Sequence, residues 1–177
     1  MPLKRVLLIT SNSSSRGGGE KYLVNLASSM QKLNIEVHVL ISDVEYMNTW
    51  RDQFYSLGIT VHSFPLKTLR QRKLRFISAI FDFRQVLLLR TICNNILPDS
   101  ILVNQQYDED GLDFVQGALF SRVRNVVGLI HMPMTKDKNK RPLGILRGFF
   151  LHLWYKLMNY KIIFVSKGSK QEFEDYY

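Results

Sequence analysis

Short apolar runs alternate along this chain with stretches in which apolar residues recur every three or four positions. Arg5 to Thr10 (RVLLIT) is apolar almost throughout and ends on a small polar residue, as in a strand covered on both faces. The polar and glycine-rich SNSSSRGGGE follows, then Leu23, Leu26, Ala27 and Met30 at helical spacing up to Asn34. Glu36 to Ile41 predicts a second strand, Trp50 to Leu57 a short helix, and Ile59 to Phe64, entered through Gly58, a third strand. The pattern then predicts one long helix from about Gln71 to Ile96, closed by Pro98-Asp99. Strands over Ser100 to Asn104, Asn125 to Ile130 and Lys161 to Val165 come next. Helices over Gly111 to Arg122 and Pro142 to about Tyr160 separate them, and another helix begins at Ser166. Strand and helix alternate as in right-handed βαβ crossovers, which predicts an α/β fold: a doubly wound, mostly parallel, Rossmann-like sheet. Ligands of such sheets bind beyond the carboxyl ends of the strands, where loops diverge and helix amino termini point.

Composition narrows the picture. With 177 residues, 46% of them hydrophobic, the chain suits one compact core, a single domain over residues 1–177. Cys93 is the only cysteine, which rules out an internal disulfide and an all-cysteine zinc site. The start, Met-Pro-Leu-Lys-Arg, leads into an apolar stretch without the length or cleavage site of a signal peptide, so a cytoplasmic location is expected. The net charge of +9 is localised: seven bases between Lys67 and Arg90 face one acid, Asp82, and seven between Lys136 and Lys161 face Asp137. Both segments are rich in large apolar residues and carry no recognised nucleic-acid motif, so nucleic acid is not an expected partner.

Candidate chemistry gathers at the predicted carboxyl ends. Arg16, Gly17, Gly18, Gly19 and Glu20 stand between the first strand and first helix, where free N–H groups and the positive helix end favour an anion such as a phosphate. The spacing is neither the dinucleotide fingerprint nor the P-loop, which argues against a dehydrogenase or an NTPase. From the glycines alone, a plain flexible turn is an equal reading; position in the fold favours the anion site. Asn104, Gln105 and Tyr107 follow the fourth strand and can line an acceptor cleft. Asp108, Glu109 and Asp110 read as a solvated loop rather than a metal site, and no metal is expected. His38 and His62 lie within strands and read as structural.

The order RVLLIT, polar loop, GG-x-E, helix KYLVNLASSMQKLN and strand EVHVLI resembles the amino-terminal domain of family 4 retaining glycosyltransferases of GT-B architecture. The carboxyl end, KIIFVSKGSKQEFEDYY, is similar to that family's strand ending in serine and the helix after it. The resemblance implies an enzyme that moves a sugar from a nucleotide diphosphate sugar to an acceptor hydroxyl with retention, with no cofactor. The acceptor would be a sugar or a lipid-linked precursor of glycolipid, lipopolysaccharide or polysaccharide. It implies that Gly17 and Gly18 face the donor diphosphate or the acceptor and that Glu20 braces the loop. It also implies that His131, in GLIHMP, approaches the donor sugar with a catalytic role, and that Ser166 lies at the next strand's end. The family's carboxyl-terminal nucleotide-sugar domain has no counterpart in these 177 residues, so the chain alone is expected to be inactive. Many relatives carry a histidine near Asn104; this chain does not. The alternative is a non-catalytic Rossmann-like module that binds lipid, polysaccharide or a partner protein.

The segments over Gln71 to Ile96 and Pro142 to Tyr160 are apolar beyond one helical stripe, with Phe149, Phe150, Leu153, Trp154 and Leu157 covering a broad arc. Neither matches a membrane span. A basic and aromatic helix can lie in a membrane interface, so an anionic membrane surface, contacted peripherally, is one expected partner; packing on the sheet and on a second domain or subunit is the other reading.

Overall fold

The structure, a computed structural model, describes residues 4–10, 18–67, 71–72, 75–133 and 142–175, with side chains omitted at 75–76 and 142–143. Six strands form one sheet: β1 (Arg5–Thr10), β2 (Glu36–Ser42), β3 (Thr60–Phe64), β4 (Ser100–Tyr107), β5 (Asn125–Met132) and β6 (Lys161–Phe164). Their order is β3-β2-β1-β4-β5-β6 and every pairing is parallel. The sheet therefore grows outward in two directions from β1 and β4, and the switch between these neighbours opens a crevice at their carboxyl ends. The expected doubly wound α/β sheet is present, with all strands parallel.

Alternation along the strands divides the apolar residues between two faces. Val6, Leu8, Val37 and Val39 pack with Leu23 and Ala27 of α1 (Gly18–Lys32) and Phe54 of α2 (Asn48–Ser56). Leu7, Ile9, Leu40, Ile101 and Val103 face the other way, toward α3 (Arg75–Ile80), α4 (Phe83–Ile96), α5 (Leu112–Leu119) and α6 (Pro142–Met158). Central strands buried on both sides must be apolar at every position, which is why RVLLIT shows no alternation. The last helix, α7 (Lys167–Glu174), follows β6.

Helix α1 ends at a left-handed Asn34 with φ 59°. Ile35 N donates to Met30 O (3.1 Å) and Asn34 N to Gln31 O (2.9 Å), closing the last carbonyls. On the other face, α5 is buried over seven consecutive residues, Leu112 to Ala118. Its Gln116 amide donates to the Ile80 carbonyl (3.3 Å) and accepts from Trp154 Nε1 (3.2 Å), so α3 and α6 both reach over α5 as an outer cover.

The single helix expected over Gln71 to Ile96 is two. It breaks before Phe83, where Asp82 leaves helical geometry and its carboxylate accepts from Gln85 N (3.2 Å) as the N-cap of α4. The reason is tertiary. Arg72 reaches back to Asp82 (3.1 Å) and to the buried Asp113 of α5 (2.7 Å), and Lys67 also pairs with Asp82 (3.3 Å). Gln85 completes the cluster by donating to Asp113 and by accepting from Lys67 N (2.7 Å). Burial pushes the Asp113 carboxyl up to about 6, against the pull of the Arg72 guanidinium. Among the described residues, no helix is long and apolar enough to cross a membrane.

Candidate functional site

At the crevice between β1 and β4, three elements converge. Helix α1 starts at Gly18, and Gly19 in its first turn is buried against the ends of β4 and β5. A Cβ on Gly19 would stand 3.1 Å from Gln106 Oε1 and 3.5 Å from both Asn104 Nδ2 and His131 Nε2. Glycine here lets the helix start settle among three polar side chains. The expected residues Gly18, Gly19, Asn104 and His131 are thus brought together or to the rim of one corner. Arg16 and Gly17, also expected there, lie outside the described residues.

His131 belongs to β5, which runs to Met132, rather than to a loop after it. Its Nε2 lies 2.7 Å from Asn104 Oδ1. A carbonyl oxygen can only accept, so Nε2 carries the proton and Nδ1 keeps its lone pair. Burial lowers the imidazole's affinity for a second proton, so the ring is neutral at pH 7. Tyr22 of α1 meets the ring edge-on, 5.7 Å between centroids, and Ser169 Oγ donates to the His131 carbonyl (3.1 Å). Tyr22 of α1 and Asn104 of β4 therefore hold the imidazole, while α7 holds the backbone that carries it. A neutral ring with a free acceptor can receive a hydroxyl proton or orient a hydroxyl group.

Strand β4 continues to Tyr107, three residues beyond its expected end, and this changes which residues face the crevice. Asn104 and Gln106 share the α1 side by alternation. Gln105 points to the opposite face, where its amide donates to Asp110 O (2.5 Å) and accepts from Tyr160 OH (3.3 Å). Tyr107, half-buried, shares the parity of Gln105. The structure thus separates Gln105 and Tyr107 from Asn104, and adds Gln106 and Tyr22. Gln106 was legible only to a reader who carried the strand past Asn104; Tyr22, one turn after the glycines, looked like an ordinary helix residue.

Two expectations for polar residues change on folding. Asp108, Glu109 and Asp110 are buried, not solvated. Tyr155 OH donates to Asp108 O (2.6 Å), Arg147 of α6 pairs with Glu109 (3.2 Å), and Gln106 N donates to Asp110 Oδ2 (3.3 Å), so α6 closes over this loop. No group of three potential metal ligands occurs among the described residues. Ser166 is the N-cap of α7, accepting from Ser169 N (3.0 Å), and lines a shallow groove of about 530 Å³ with Lys167, Lys170 and Phe173. Glu20 is buried in the first turn of α1, where its charge suits the helix's positive end.

Away from the crevice, His38 Nδ1 and His62 Nε2 share a hydrogen bond of 2.8 Å, and His38 Nε2 donates to Glu36 (2.7 Å). The two rings stack at the amino half of the sheet, on side chains that satisfy one another, as structural histidines would. Cys93 is buried, and burial pushes its thiol up to about 12, far too high for a nucleophile.

No protein-family model matches the chain, and no curated protein sequence matches it. The shown class is therefore that of the fold: a Rossmann-like α/β domain with a polar corner at its topological switch point.

Proposed function

We propose that the chain is the acceptor-side half of a retaining glycosyltransferase, which moves a sugar from a nucleotide diphosphate sugar to an acceptor hydroxyl. The observation that carries this reading is the meeting of the α1 start at Gly19 with Asn104, Gln106 and neutral His131 at one crevice. An N-terminal helix turn favours the donor's diphosphate. Amide groups and an imidazole with a free acceptor suit sugar hydroxyls, which need paired donors and acceptors rather than charge. His131 then orients a hydroxyl of the donor sugar through Nδ1, while Asn104 holds its tautomer. Catalysis in such a site is mainly positioning together with stabilisation of the departing diphosphate, and it needs no metal at these residues. The acceptor in this reading is a glycolipid, lipopolysaccharide or polysaccharide precursor met at the cytoplasmic face of a membrane. A second, nucleotide-sugar-binding domain completes the cleft, so the 177-residue chain binds donors weakly and turns none over.

The test is a nuclear magnetic resonance titration of the 177-residue chain with a panel of nucleoside diphosphate sugars, run beside a turnover assay. Amide shifts confined to Gly18 to Glu20, Asn104 to Gln106 and His131, without turnover, are the expected result. Turnover by the chain alone overturns the division between two domains. Absence of shifts with every donor favours the non-catalytic binding module.

A further inference from the structure

We propose that the outer face of α6, together with the corner between α3 and α4, docks on an anionic lipid bilayer. The proposal stands on surface chemistry and does not depend on the transferase reading. Helix α6 splits cleanly around its axis. Gly144, Gly148, Leu151 and Trp154 point inward and are buried. Ile145, Leu146, Phe149, Phe150, Leu153 and Leu157 are all exposed, 40% to 68% each, over an arc of roughly 140° at helical geometry. His152 stands at the edge of that arc, and Lys156 lies within it beside Ile145 and Phe149. A soluble surface helix normally reverses this distribution, with polar residues outward.

The neighbouring corner continues the pattern. Phe81 and Phe83, 61% and 63% exposed, meet edge to face across the break before α4, and Leu87 is exposed one turn on. Ile80 and Trp154 both reach Gln116, which brings the end of α3 beside α6. The apolar surfaces of these two outer helices therefore belong to one side of the molecule.

Charge selects the occupant. Helices α3, α4 and α6 contain not one acidic residue, and with Arg147 paired to Glu109 their exposed bases are Arg84, Arg90 and Lys156. The acids near them are already engaged: Asp82 by Lys67 and Arg72, Asp113 by Arg72, Glu109 by Arg147. A second copy of the chain pressed onto this face would bring like charges together. A surface of anionic headgroups over an acyl layer matches both the bases and the aromatic side chains. Each base near such a surface strengthens binding about fivefold, so several acting together are needed.

The docking helix is tied to the carboxyl rim of the sheet. Helix α6 enters after β5 at the carboxyl rim of the sheet and is tied to the loop after β4 through Arg147 to Glu109 and Tyr155 to Asp108. His131 opens toward α1 on the other face of the sheet, so docking through α6 leaves the crevice uncovered.

Co-sedimentation with vesicles of phosphatidylcholine alone, and of phosphatidylcholine mixed with phosphatidylglycerol, tests this with four proteins. These are the unaltered chain, F149S/L153S, R84E/K156E, and L33S, which removes an exposed leucine at the far end of α1. The expected result is binding to the anionic vesicles only, weakened about tenfold or more by either double substitution, relieved by salt, and unchanged in L33S. Circular dichroism melts identify any variant that fails to fold, and the charge pair decides the matter if the apolar pair does. Absence of binding, equal binding to both vesicles, or equal loss in L33S overturns the proposal. So does a concentration-dependent dimer that F149S/L153S abolishes without any effect on lipid.

Discussion

Asn104 and His131 form the best-defined polar pair of the crevice, and their chemistry gives two expectations. Replacing Asn104 by Ala leaves the buried imidazole N–H without its acceptor, which costs about 1–3 kcal/mol in a denaturant melt. Replacing it by Asp keeps an acceptor but sets a carboxylate against the ring, so His131 takes up a proton at higher pH; ring resonances followed through a pH titration measure the change. Gly19→Ala separates site geometry from stability. Helix propensity favours Ala by roughly 0.5–1 kcal/mol, and the tight neighbour at 3.1 Å is the far end of the flexible Gln106 side chain. The melt therefore moves little while donor-induced shifts at His131 diminish. If those shifts persist unchanged, Gly19 does not border the ligand. Position pointed to the glycines, and the family resemblance to His131 at the carboxyl end of β5. Gln106 and Tyr22 were not legible, because a strand's true end and a helix's facing direction depend on what packs against them.

At the scale of elements, the division of one expected helix into α3 and α4 has a nameable cause. Periodicity over Gln71 to Ile96 is continuous enough for one helix, but it cannot register that Asp82 and Asp113 compete for the same guanidinium. Replacing Arg72 by Met should lower stability at pH 7 by about 3–5 kcal/mol, because it strands a buried carboxylate. The deficit should shrink as pH falls from 7 toward about 6, because Asp113, held at about 6 with the guanidinium beside it, takes a proton at higher pH without it, and urea midpoints at the two pH values report the difference. The α4–α5 contact is equally specific. A Cβ on Gly117 would stand 2.5 Å from Leu89 Cβ and 3.0 Å from the Val86 carbonyl, so Gly117→Ala should destabilise by about 1–3 kcal/mol despite the better helix former, again read by denaturant melt.

For the whole molecule, pH dependence follows from groups at opposite ends of the sheet. His131 is lowered by burial, and His62 by burial and then by His38, so both hold protons less well folded than unfolded. Their stabilisation is complete above the ordinary histidine value of 6.5 and falls as pH drops below it, since the unfolded chain then binds more protons. Asp113 acts in the opposite sense: its protonated form favours the fold below 3.8, and that contribution is lost as pH rises through about 6. His131→Gln should therefore lose less stability than the unaltered chain between about pH 7 and pH 5, as thermal melts across that range would register. A steeper fall would mean that the imidazole is charged in the folded state.

Six strand positions, the parallel α/β class and the carboxyl-end placement of the glycines and His131 were fixed by the one-dimensional pattern. Strands buried on both faces must be apolar throughout, and helices that cover them must repeat near every fourth residue, so those features are written locally. Tertiary structure alone decided that Asp108 to Asp110 are covered, that Gln105 leaves the crevice while Gln106 enters it, and that the bulky side chains of α6 point outward. Each of these depends on which element closes over which, and a residue's own neighbours in sequence carry no record of the charge or helix that reaches it from Arg72, Arg147 or Tyr155.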